Sequence, residues 1–461
     1  MSENIRENRD DEVFTQDYIK NICDRFSKYN YIDPRHYTNT NVKLGLRNID
    51  GTGICAGFTL IGNVHGYVLD EGDKAPVPGK LTYRGYDVTK FVEACEQEDR
   101  YGFEEAAYLL LFGELPTRDQ LDEFCTLLGK CRELPEFFTE NMIIKTPSRD
   151  IMNKLARNVL SLYSYDDNPD DTSLENVMRQ CLYLIARFPI MVAYAYQVKK
   201  YFFDRESLYI HFPEDNMSTA ENILRTIRAD NKFTKTEARL LDMSLILHAE
   251  HGGGNNSSFA ARVLASSGTD VYSCIAAAVG SLKGHRHGGA NLKVIKMLKD
   301  IMENVKDWKD EDEVASYLTK IINKEAGDRT GLIYGMGHAI YTESDPRAVL
   351  LKKHARELAV EKGILDAFEL LDLIERLAPQ AFFKVKGYDK PMCANVDLYS
   401  GFVYNSLDIP SELYTPLFAI SRVVGWSAHI IEEHTLGNRL MRPAYKSVAK
   451  NRDYVPIGER G

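Results

Sequence analysis

The sequence predicts an all-α protein with a short β-hairpin region near its N-terminus. Helical periodicity dominates after residue 90, and the alternating Val, Ile and Thr typical of strands are nearly absent there. Before that point, residues 53–83 combine glycines with Val64 and Tyr67, which indicates an extended hairpin with turns at 71–73 and 76–78. Because neither a repeat nor a long linker interrupts the chain, packed helices are expected to form most of the core.

Capping residues mark the ends of the predicted helices. The helix 103–112 should end at Gly113, since glycine readily adopts the left-handed C-cap conformation. Three capping boxes mark helix starts, at Thr117, Ser218 and Thr234. A long helix is predicted over 172–203, with a kink at Pro189. Further helices are predicted at 257–266, 270–282, 290–304, 312–325, 346–361, 367–377, 395–406 and 413–434.

Composition and charge favour a soluble globular protein. Apolar residues make up 44% and charged residues 27% of the 461 residues, the usual mix for a chain with a sizeable core. The formal net charge of −10 argues against general nucleic-acid binding, which needs a basic face. The longest apolar stretch, 181–196, contains Arg187 and Pro189 and is too short to cross a bilayer. The charged N-terminus does not resemble a secretory or transit signal, so a cytoplasmic location without membrane contact is expected.

Five of the eleven histidines lie between residues 248 and 338, in three glycine-flanked segments: HAEHGGGN, GHRHGGAN and GMGH. A single buried histidine is most often a core or capping residue, but three such segments together indicate an active site, where glycines let the backbone approach a ligand. His248 and His251 are three residues apart and are expected to share a helix face that could bind a metal. No H-E-x-x-H or Cys-x-x-Cys motif accompanies them, so no metal site is predicted.

Two further residues have a setting that suits acid–base chemistry. His287 precedes a helix start, whose positive end disfavours the imidazolium, and a neutral imidazole there can donate a hydrogen bond to a forming enolate. Asp397 lies in a mostly apolar segment, so its pKa should be raised and its carboxylate should be a better base. Asp397 could instead be a helix N-cap, a role for which Asn395 is at least as suitable.

Three arginines are candidates for binding an anionic ligand. The motif Asp345-Pro346-Arg347 predicts a helix start that places Arg347 in the first turn, where a carboxylate could dock. Arg422 and Arg442 lie among apolar residues, and a buried guanidinium needs an anionic partner. Either arginine could instead form a salt bridge with the Glu432-Glu433 pair.

Five segments, in order and spacing, resemble the signature blocks of the citrate synthase family: HAEHGGGN, GHRHGGANLKVIKML, GMGHAIYTESDPRA, ANVDLYSGFVY and SRVVGWSAHIIEE with NRLMRP. Residues 79–87 and 103–116 are also similar to that family, so the resemblance covers about residues 50 to 456. It implies a mostly helical homodimer with a citrate synthase-like two-domain fold. The expected parts are an N-terminal arm packing on the body (1–50), a large helical domain (51–289), a small helical domain closing over the cleft (290–395) and a return to the large domain with the C-terminal helix and tail (396–461).

The resemblance also implies residue roles in an acyltransferase that converts the acyl group to alkyl on transfer. Asp397 matches the base that removes a methyl proton from acetyl-CoA, His287 matches the holder of the enol(ate) oxygen, and His338 matches the group that protonates the oxaloacetate carbonyl. The residues matching the oxaloacetate clamp are His251, Arg347, Arg422 and Arg442, the last expected from the partner subunit. The candidate CoA contacts are Gly335, Met336, Gly337, Lys352 and Lys353. Water then hydrolyses citryl-CoA, so no metal, cofactor or covalent nucleophile is expected.

Two departures from the family pattern concern CoA and His287. Ala339 and Thr342 stand where many bacterial relatives have basic residues, which leaves open how the CoA phosphates are held, and Lys352 or Lys353 could substitute. The dipeptide His285-Arg286 precedes His287 where the family usually has Pro-Leu, and its charge could tune the pKa of His287 or contact CoA.

Two alternative functions stay open at the level of sequence. 2-Methylcitrate synthase uses the same residues with propionyl-CoA, and one extra methylene changes affinity by only about 1–3 kcal/mol, so the acyl donor is not decided. A catalytically silent paralogue that senses a metabolite is the alternative from another class. The intact Asp397, His287 and His338 argue against it, since a sensor could bind oxaloacetate without the base.

Overall fold

The structure is a computed structural model that describes residues 16–29, 31–38, 40, 42–48, 52–70, 73–387, 391–436, 439–450 and 452–460. It contains two compact units, one spanning Phe58–Met441 and the other combining Met1–Gly57 with Arg442–Gly461. The second unit includes helices α1 (Gln16–Tyr29) and α2 (Arg35–Thr38). The predicted packing of the 1–50 arm on the body stays a prediction, with residues 1–15 outside the described residues, and so do the domain boundaries at 290 and 396.

The Phe58–Met441 unit begins with the predicted hairpin. Strands β1 (Gly62–Asp70) and β2 (Asp73–Tyr83) pair antiparallel, and the short β3 (Tyr86–Asp87) joins β2. The turn predicted at 71–73 falls partly outside the described residues. The turn predicted at 76–78 is wrong, because these residues lie within β2.

The register of the hairpin explains the proline-rich segment. His65 pairs with Lys80 but Tyr67 pairs with Pro76, so β2 carries extra residues at this irregularity. Prolines suit such a point, since they cannot donate to the strand ladder. A Cβ on Gly66 would lie 2.7 Å from the Ile340 carbonyl oxygen, so the hairpin packs directly against the segment that follows His338.

Helices joined by loops make up the rest of this unit in the described residues, and the all-α prediction is confirmed. Their bounds are α3 Val88–Gln97, α4 Phe103–Phe112, α5 Arg118–Cys131, α6 Ile151–Leu162, α7 Leu174–Lys199, α8 Thr219–Ile227, α9 Lys235–His248, α10 Asn256–Ala265, α11 Val271–Lys283, α12 Ala290–Asn304, α13 Glu311–Ile322, α14 Pro346–Glu361, α15 Leu365–Lys386, α16 Val396–Ser406 and α17 Tyr414–Thr435. Helix α15 is longer than the predicted 367–377 and continues through Pro379.

The predicted caps are present. Gly113 ends α4 with a φ of 91°, in the left-handed region. All three capping boxes form both of their reciprocal hydrogen bonds, at the starts of α5, α8 and α9. These local signals were readable because each depends on residues within one helical turn.

Helices α7 and α17 run through the core. Residues 419–433 of α17 are all buried, including the ionisable Arg422, His429, Glu432 and Glu433. One helical stretch in the described residues, Leu174–Asp204, is long and apolar enough by length and composition to cross a membrane. It is longer than the apolar run 181–196 on which the sequence-based expectation was based. Because 83% of its most apolar window is buried inside the protein, it has the environment of a core helix.

Candidate active site

The loop after α9 carries two of the predicted histidines. Helix α9 ends at His248, so His251 lies beyond the helix and the prediction of a shared helix face is wrong. Both ring nitrogens of His248 and Nε2 of His251 are buried without a hydrogen-bond partner among the described residues. Burial, with the charges of Arg347 and Arg422, lowers the pKa of both histidines well below the usual value. Both rings are therefore neutral.

Arg422 projects from α17 beside these histidines. Its Nε donates to the His248 carbonyl oxygen at 2.6 Å, while Nη1 and Nη2 are buried with no partner among the described residues. Burial lowers its pKa to about 10, which leaves it charged at neutral pH. A buried guanidinium with two donor atoms that lack acceptors is costly, so this group is prepared for an anionic ligand.

The predicted salt-bridge alternative for Arg422 is wrong. Glu432 and Glu433 bind Arg262 instead, at N–O distances of 2.7 and 3.0 Å. The sequence could not show this, because Arg262 lies on α10, far from α17 along the chain.

Arg347 lies at the start of α14, where Asp345 is the N-cap and Pro346 the first helical residue, as predicted. The Asp345 carboxylate accepts from Nε and Nη2 of Arg347 at 3.0 and 2.8 Å. The same carboxylate accepts the Val396 N–H at 3.1 Å, which connects the starts of α14 and α16. Asp345 thus fixes the orientation of the guanidinium, and the Tyr341 ring lies 5.8 Å from it.

His338 is held in one tautomer by the backbone. Its Nδ1 accepts the N–H groups of Ile340 and Tyr341, both at 3.1 Å. Because Nδ1 is an acceptor, the neutral ring carries its proton on Nε2, which is therefore a donor. The ring stacks on Tyr341 with centroids 4.7 Å apart and meets His251 edge-on at 5.2 Å.

Asp397 lies in the first turn of α16. Asn395, not Asp397, caps this helix, because its side chain accepts the Asp397 N–H at 3.0 Å. The Asp397 carboxylate is therefore not used to cap the helix. Burial raises its pKa to about 6, against the opposing effect of Arg347 and Arg422, which confirms the expected direction.

His287 lies just before α12, whose N-cap is Gly289. Burial, with the charge of Arg422, lowers its pKa to about 4, so the ring is neutral at physiological pH. Its Nε2 lies 3.1 Å from the Ser257 Oγ, which also accepts from the Trp426 indole at 3.1 Å. Since the indole can only donate, the Ser257 proton can point to Nε2, and the ring proton then lies on Nδ1.

The electrostatic influences among these groups place them in one cluster of buried and half-buried side chains. Its members, hereafter the catalytic cluster, are His248, His251, His287, His338, Arg347, Asp397 and Arg422. Arg442 is exposed and belongs to the other compact unit, so its predicted place at the site stays a prediction. In the described part of the chain, no group of three or more His, Cys, Asp or Glu is arranged to hold a metal ion.

Comparison with known proteins decides the family. The family model described as "Citrate synthase, C-terminal domain" matches residues 52–444. The chain belongs to the citrate synthase family. It is therefore an enzyme of the citrate synthase, acyltransferase type.

The relatives fit this membership. A citrate synthase of Haloferax volcanii is 33% identical over 392 residues, covering 83% of this chain and 93% of the relative. A 2-methylcitrate synthase of Shewanella oneidensis is also 33% identical, over 382 residues, covering 82% and 92%. The structure of the Thermoplasma acidophilum citrate synthase in ternary complex with carboxymethyl coenzyme A and oxaloacetate is similar, with a TM-score of 0.72 and 28% identity, over 90% of this chain and 98% of that one. The Thermotoga maritima citrate synthase gives a TM-score of 0.70 at 30% identity, over 89% and 98%.

The candidate CoA loop packs at the start of α16. Gly335 and Gly337 have φ values of 83° and 85°, and a Cβ on Gly335 would lie 2.8 Å from Leu398. Asn395 links to both glycines, donating its N–H to the Gly335 oxygen and its side-chain amide to the Gly337 oxygen, each at 2.8 Å. Met336 pairs with Ala394 in an isolated bridge. The loop is thereby fixed beside Asp397 in this citrate synthase family member, and its role in CoA binding stays a prediction.

The two lysines suggested for CoA have protein partners. Lys352 contacts the carboxylates of Asp372 and Glu375, and Lys353 lies 3.3 Å from Glu96. Their role in CoA binding stays a prediction. Both residues of the departure His285-Arg286 are exposed, and the lowered pKa of His287 arises from burial and Arg422.

A second buried network was missed by the sequence analysis. His429 Nε2 lies 3.0 Å from Glu250 Oε1, and Arg262 donates to His429 Nδ1 at 2.9 Å. Gly425 permits this packing, since a Cβ there would lie 2.4 Å from Glu250 Oε2 and 2.5 Å from the Ala249 oxygen. The only sign of this network in the sequence is the presence of ionisable residues within the otherwise mostly apolar segment 420–433. This network supports the loop that carries His251.

The pKa values predict an acid limit of activity. Asp397 must be ionised to accept a proton, so kcat/KM should fall as pH drops through about 6, reaching about a tenth of its plateau near pH 5. His287, with a pKa of about 4, stays neutral throughout that range. Steady-state kinetics between pH 4.5 and 8, with circular dichroism at each pH as a folding control, measures this. A flat profile from pH 5 to 7 in a folded enzyme would contradict the assignment of Asp397 as the base.

Proposed function

We propose that the protein is a citrate synthase that condenses acetyl-CoA with oxaloacetate and water to give citrate and CoA. The observation that carries the proposal is the convergence of a half-buried carboxylate with raised pKa, two neutral histidines and a buried guanidinium with two unpaired donor atoms in one cluster. Relatives named citrate synthase at 33% identity support it.

Oxaloacetate is the anion that suits the unpaired guanidinium. One carboxylate would accept from Nη1 and Nη2 of Arg422, a bidentate geometry that arginine favours. Arg347, preset by Asp345, and the neutral His251 complete the described part of the clamp. These local positive charges overcome the unfavourable net charge of −10.

The condensation then uses the three remaining groups. The Asp397 carboxylate removes a proton from the acetyl methyl group, and the electron pair moves into the carbonyl, whose oxygen accepts a hydrogen bond from His287. The enolate carbon forms a bond to the oxaloacetate carbonyl carbon, whose oxygen takes the proton from His338 Nε2. Water then cleaves the thioester and releases CoA, so the proposed reaction uses no cofactor or metal.

The acyl donor is the point that the family leaves open. A 2-methylcitrate synthase is as similar to this chain as the citrate synthases, so propionyl-CoA is the second candidate. Thiol release should be measured with acetyl-CoA and with propionyl-CoA, each with and without oxaloacetate. We expect oxaloacetate-dependent release with the higher kcat/KM for acetyl-CoA. A preference for propionyl-CoA would indicate 2-methylcitrate synthase, and no release with either would indicate a silent paralogue.

We also propose that the active enzyme is a homodimer in which Arg442 enters the partner's site. Inactive Asp397→Asn chains mixed with inactive Arg442→Ala chains would form hybrids with one intact site. After subunit exchange, activity should return to about a quarter of the wild-type value, since half of the dimers in a one-to-one random mixture are hybrid. Native mass spectrometry verifies the exchange. If hybrids form and no activity returns, Arg442 acts within its own chain.

A further inference from the structure

A cavity of about 430 Å³ lies between α3, α9 and α14, and no member of the catalytic cluster lines it. Ligand pockets commonly measure about 300 to 1,000 Å³, so a small organic molecule would fit. Much of its wall is apolar, formed by Val92, Leu240, Met243, Ile246 and Leu358. This lining favours a ligand with an apolar body.

The charged and ionisable part of the wall is formed by four carboxylic side chains (Glu96, Asp242, Glu357 and Glu361) and by four basic ones (Arg100, Arg239, Lys353 and His354). Three of the basic side chains contact carboxylates. Lys353 and His354 both contact Glu96 on α3, and Arg100 pairs with two glutamates near it in the chain. The charges of Lys353 and Arg100 are therefore compensated within the protein.

Arg239 differs from these three. Its Nη1 pairs with Asp99, whereas Nε and Nη2 are buried and have no hydrogen-bond partner among the described residues. A buried donor without an acceptor costs free energy, and the cost is largest when the donor belongs to a charged group. Nε and Nη2 form the edge of a guanidinium that binds a carboxylate or phosphate through two parallel hydrogen bonds. An anionic group bound in the cavity that Arg239 lines would supply this acceptor.

The helices around the cavity lead to the catalytic cluster. Arg239 lies on α9 nine residues before His248, about 14 Å along the axis, and Lys353 lies on α14 six residues after Arg347, about 9 Å. A ligand held between α9 and α14 would thus fix the separation of these two helices. Helix α9 ends at His248 and α14 begins next to Arg347, and both residues are members of the catalytic cluster. Arg422 is connected as well, since it donates to the His248 carbonyl oxygen.

We propose that this cavity is an effector site for a small molecule with an apolar body and one carboxylate or phosphate group. The anion binds Arg239, and occupancy changes oxaloacetate affinity through α9 and α14. The binding part does not depend on the proposed function, whereas the effect on oxaloacetate rests on it.

Binding is tested by calorimetry on the full chain with three probes: hexanoate, phenyl phosphate and the neutral 1-hexanol. We expect one or both anions to bind and the alcohol to bind at least about tenfold more weakly, because it lacks a charge-assisted partner for Arg239. The preference between the two anions identifies the head group. Equal binding of the alcohol, or no binding of either anion, would overturn the site.

Two variants and a control locate the probe. Arg239→Met removes the guanidinium, and Thr236→Glu places a competing carboxylate one turn away on α9; both should weaken anion binding about tenfold or more. The control, Lys235→Met, removes the other cation that pairs with Asp99 and should leave binding unchanged. Circular dichroism checks that each variant is folded. Undiminished binding by the folded Thr236→Glu and Arg239→Met variants would refute the assignment.

The effect of the probe on oxaloacetate binding is measured in a separate experiment. A saturating anion probe should change the dissociation constant of oxaloacetate at least about threefold in the wild type and not in Arg239→Met. An unchanged oxaloacetate affinity with the probe bound would overturn the effector role. A protein that binds the probe but neither binds oxaloacetate nor turns over would overturn the proposed function while leaving the site in place.

Discussion

Asp397→Asn should lower kcat by about 10²–10⁴-fold while leaving oxaloacetate binding nearly unchanged. Asparagine keeps the size of the side chain and the Asn395 cap on α16, but it cannot accept a proton. The oxaloacetate clamp, formed by Arg422 and Arg347, is untouched. Steady-state turnover and calorimetric oxaloacetate binding measure the two properties separately.

The control for this change is Asp408→Asn, since Asp408 is an exposed carboxylate with 84% of its side chain accessible. It should retain wild-type kcat. If Asp397→Asn kept wild-type turnover, or if both variants lost activity equally, Asp397 would not be the base.

Arg422→Met should lower kcat/KM by about 10²–10³-fold, chiefly through lost oxaloacetate affinity. The same change removes a buried charge whose Nη1 and Nη2 have no partner among the described residues. The unliganded variant should therefore be as stable as the wild type or more stable, because removing a buried guanidinium with two unmet donors relieves its desolvation cost. Kinetics and thermal unfolding without ligand measure these opposite effects.

Arg262→Met is the matched control. Arg262 is a buried arginine that binds Glu432 and Glu433, so its loss leaves two buried carboxylates without their cation and should destabilise the fold by about 3–5 kcal/mol. A loss of stability in Arg422→Met as large as that in Arg262→Met would mean that Arg422 is structural and not reserved for a ligand.

Local features of this fold could be predicted from the sequence. The capping boxes, the Gly113 cap and the Asp345-Pro346 helix start each depend on residues within about one turn, and all are present. The hairpin was also foreseen, but the Pro76–Pro78 segment reads as a turn until its pairing partner is known.

Features that depend on distant residues could not be predicted. Which arginine would bind Glu432 and Glu433 is decided by the packing of α10 on α17, and not by the sequence around Arg422. The Glu250–His429 pair joins residues 179 positions apart. The tautomer of His338 depends on backbone N–H groups whose direction is set by the turn after it. The roles of the candidate residues came from resemblance, while their burial and unmet hydrogen bonds came from the structure.

The central claim, that this cluster makes a carbon nucleophile from the acetyl methyl group, is tested most directly by isotope labelling. Purified wild-type protein is given oxaloacetate and acetyl-CoA with three deuterons on the methyl group, and the citrate is analysed by mass spectrometry. The citrate should retain two deuterons, since Asp397 removes one before the carbon–carbon bond forms. Asp397→Asn should form at most about a hundredth as much. No oxaloacetate-dependent citrate, or a product that retains all three deuterons, would contradict the central claim.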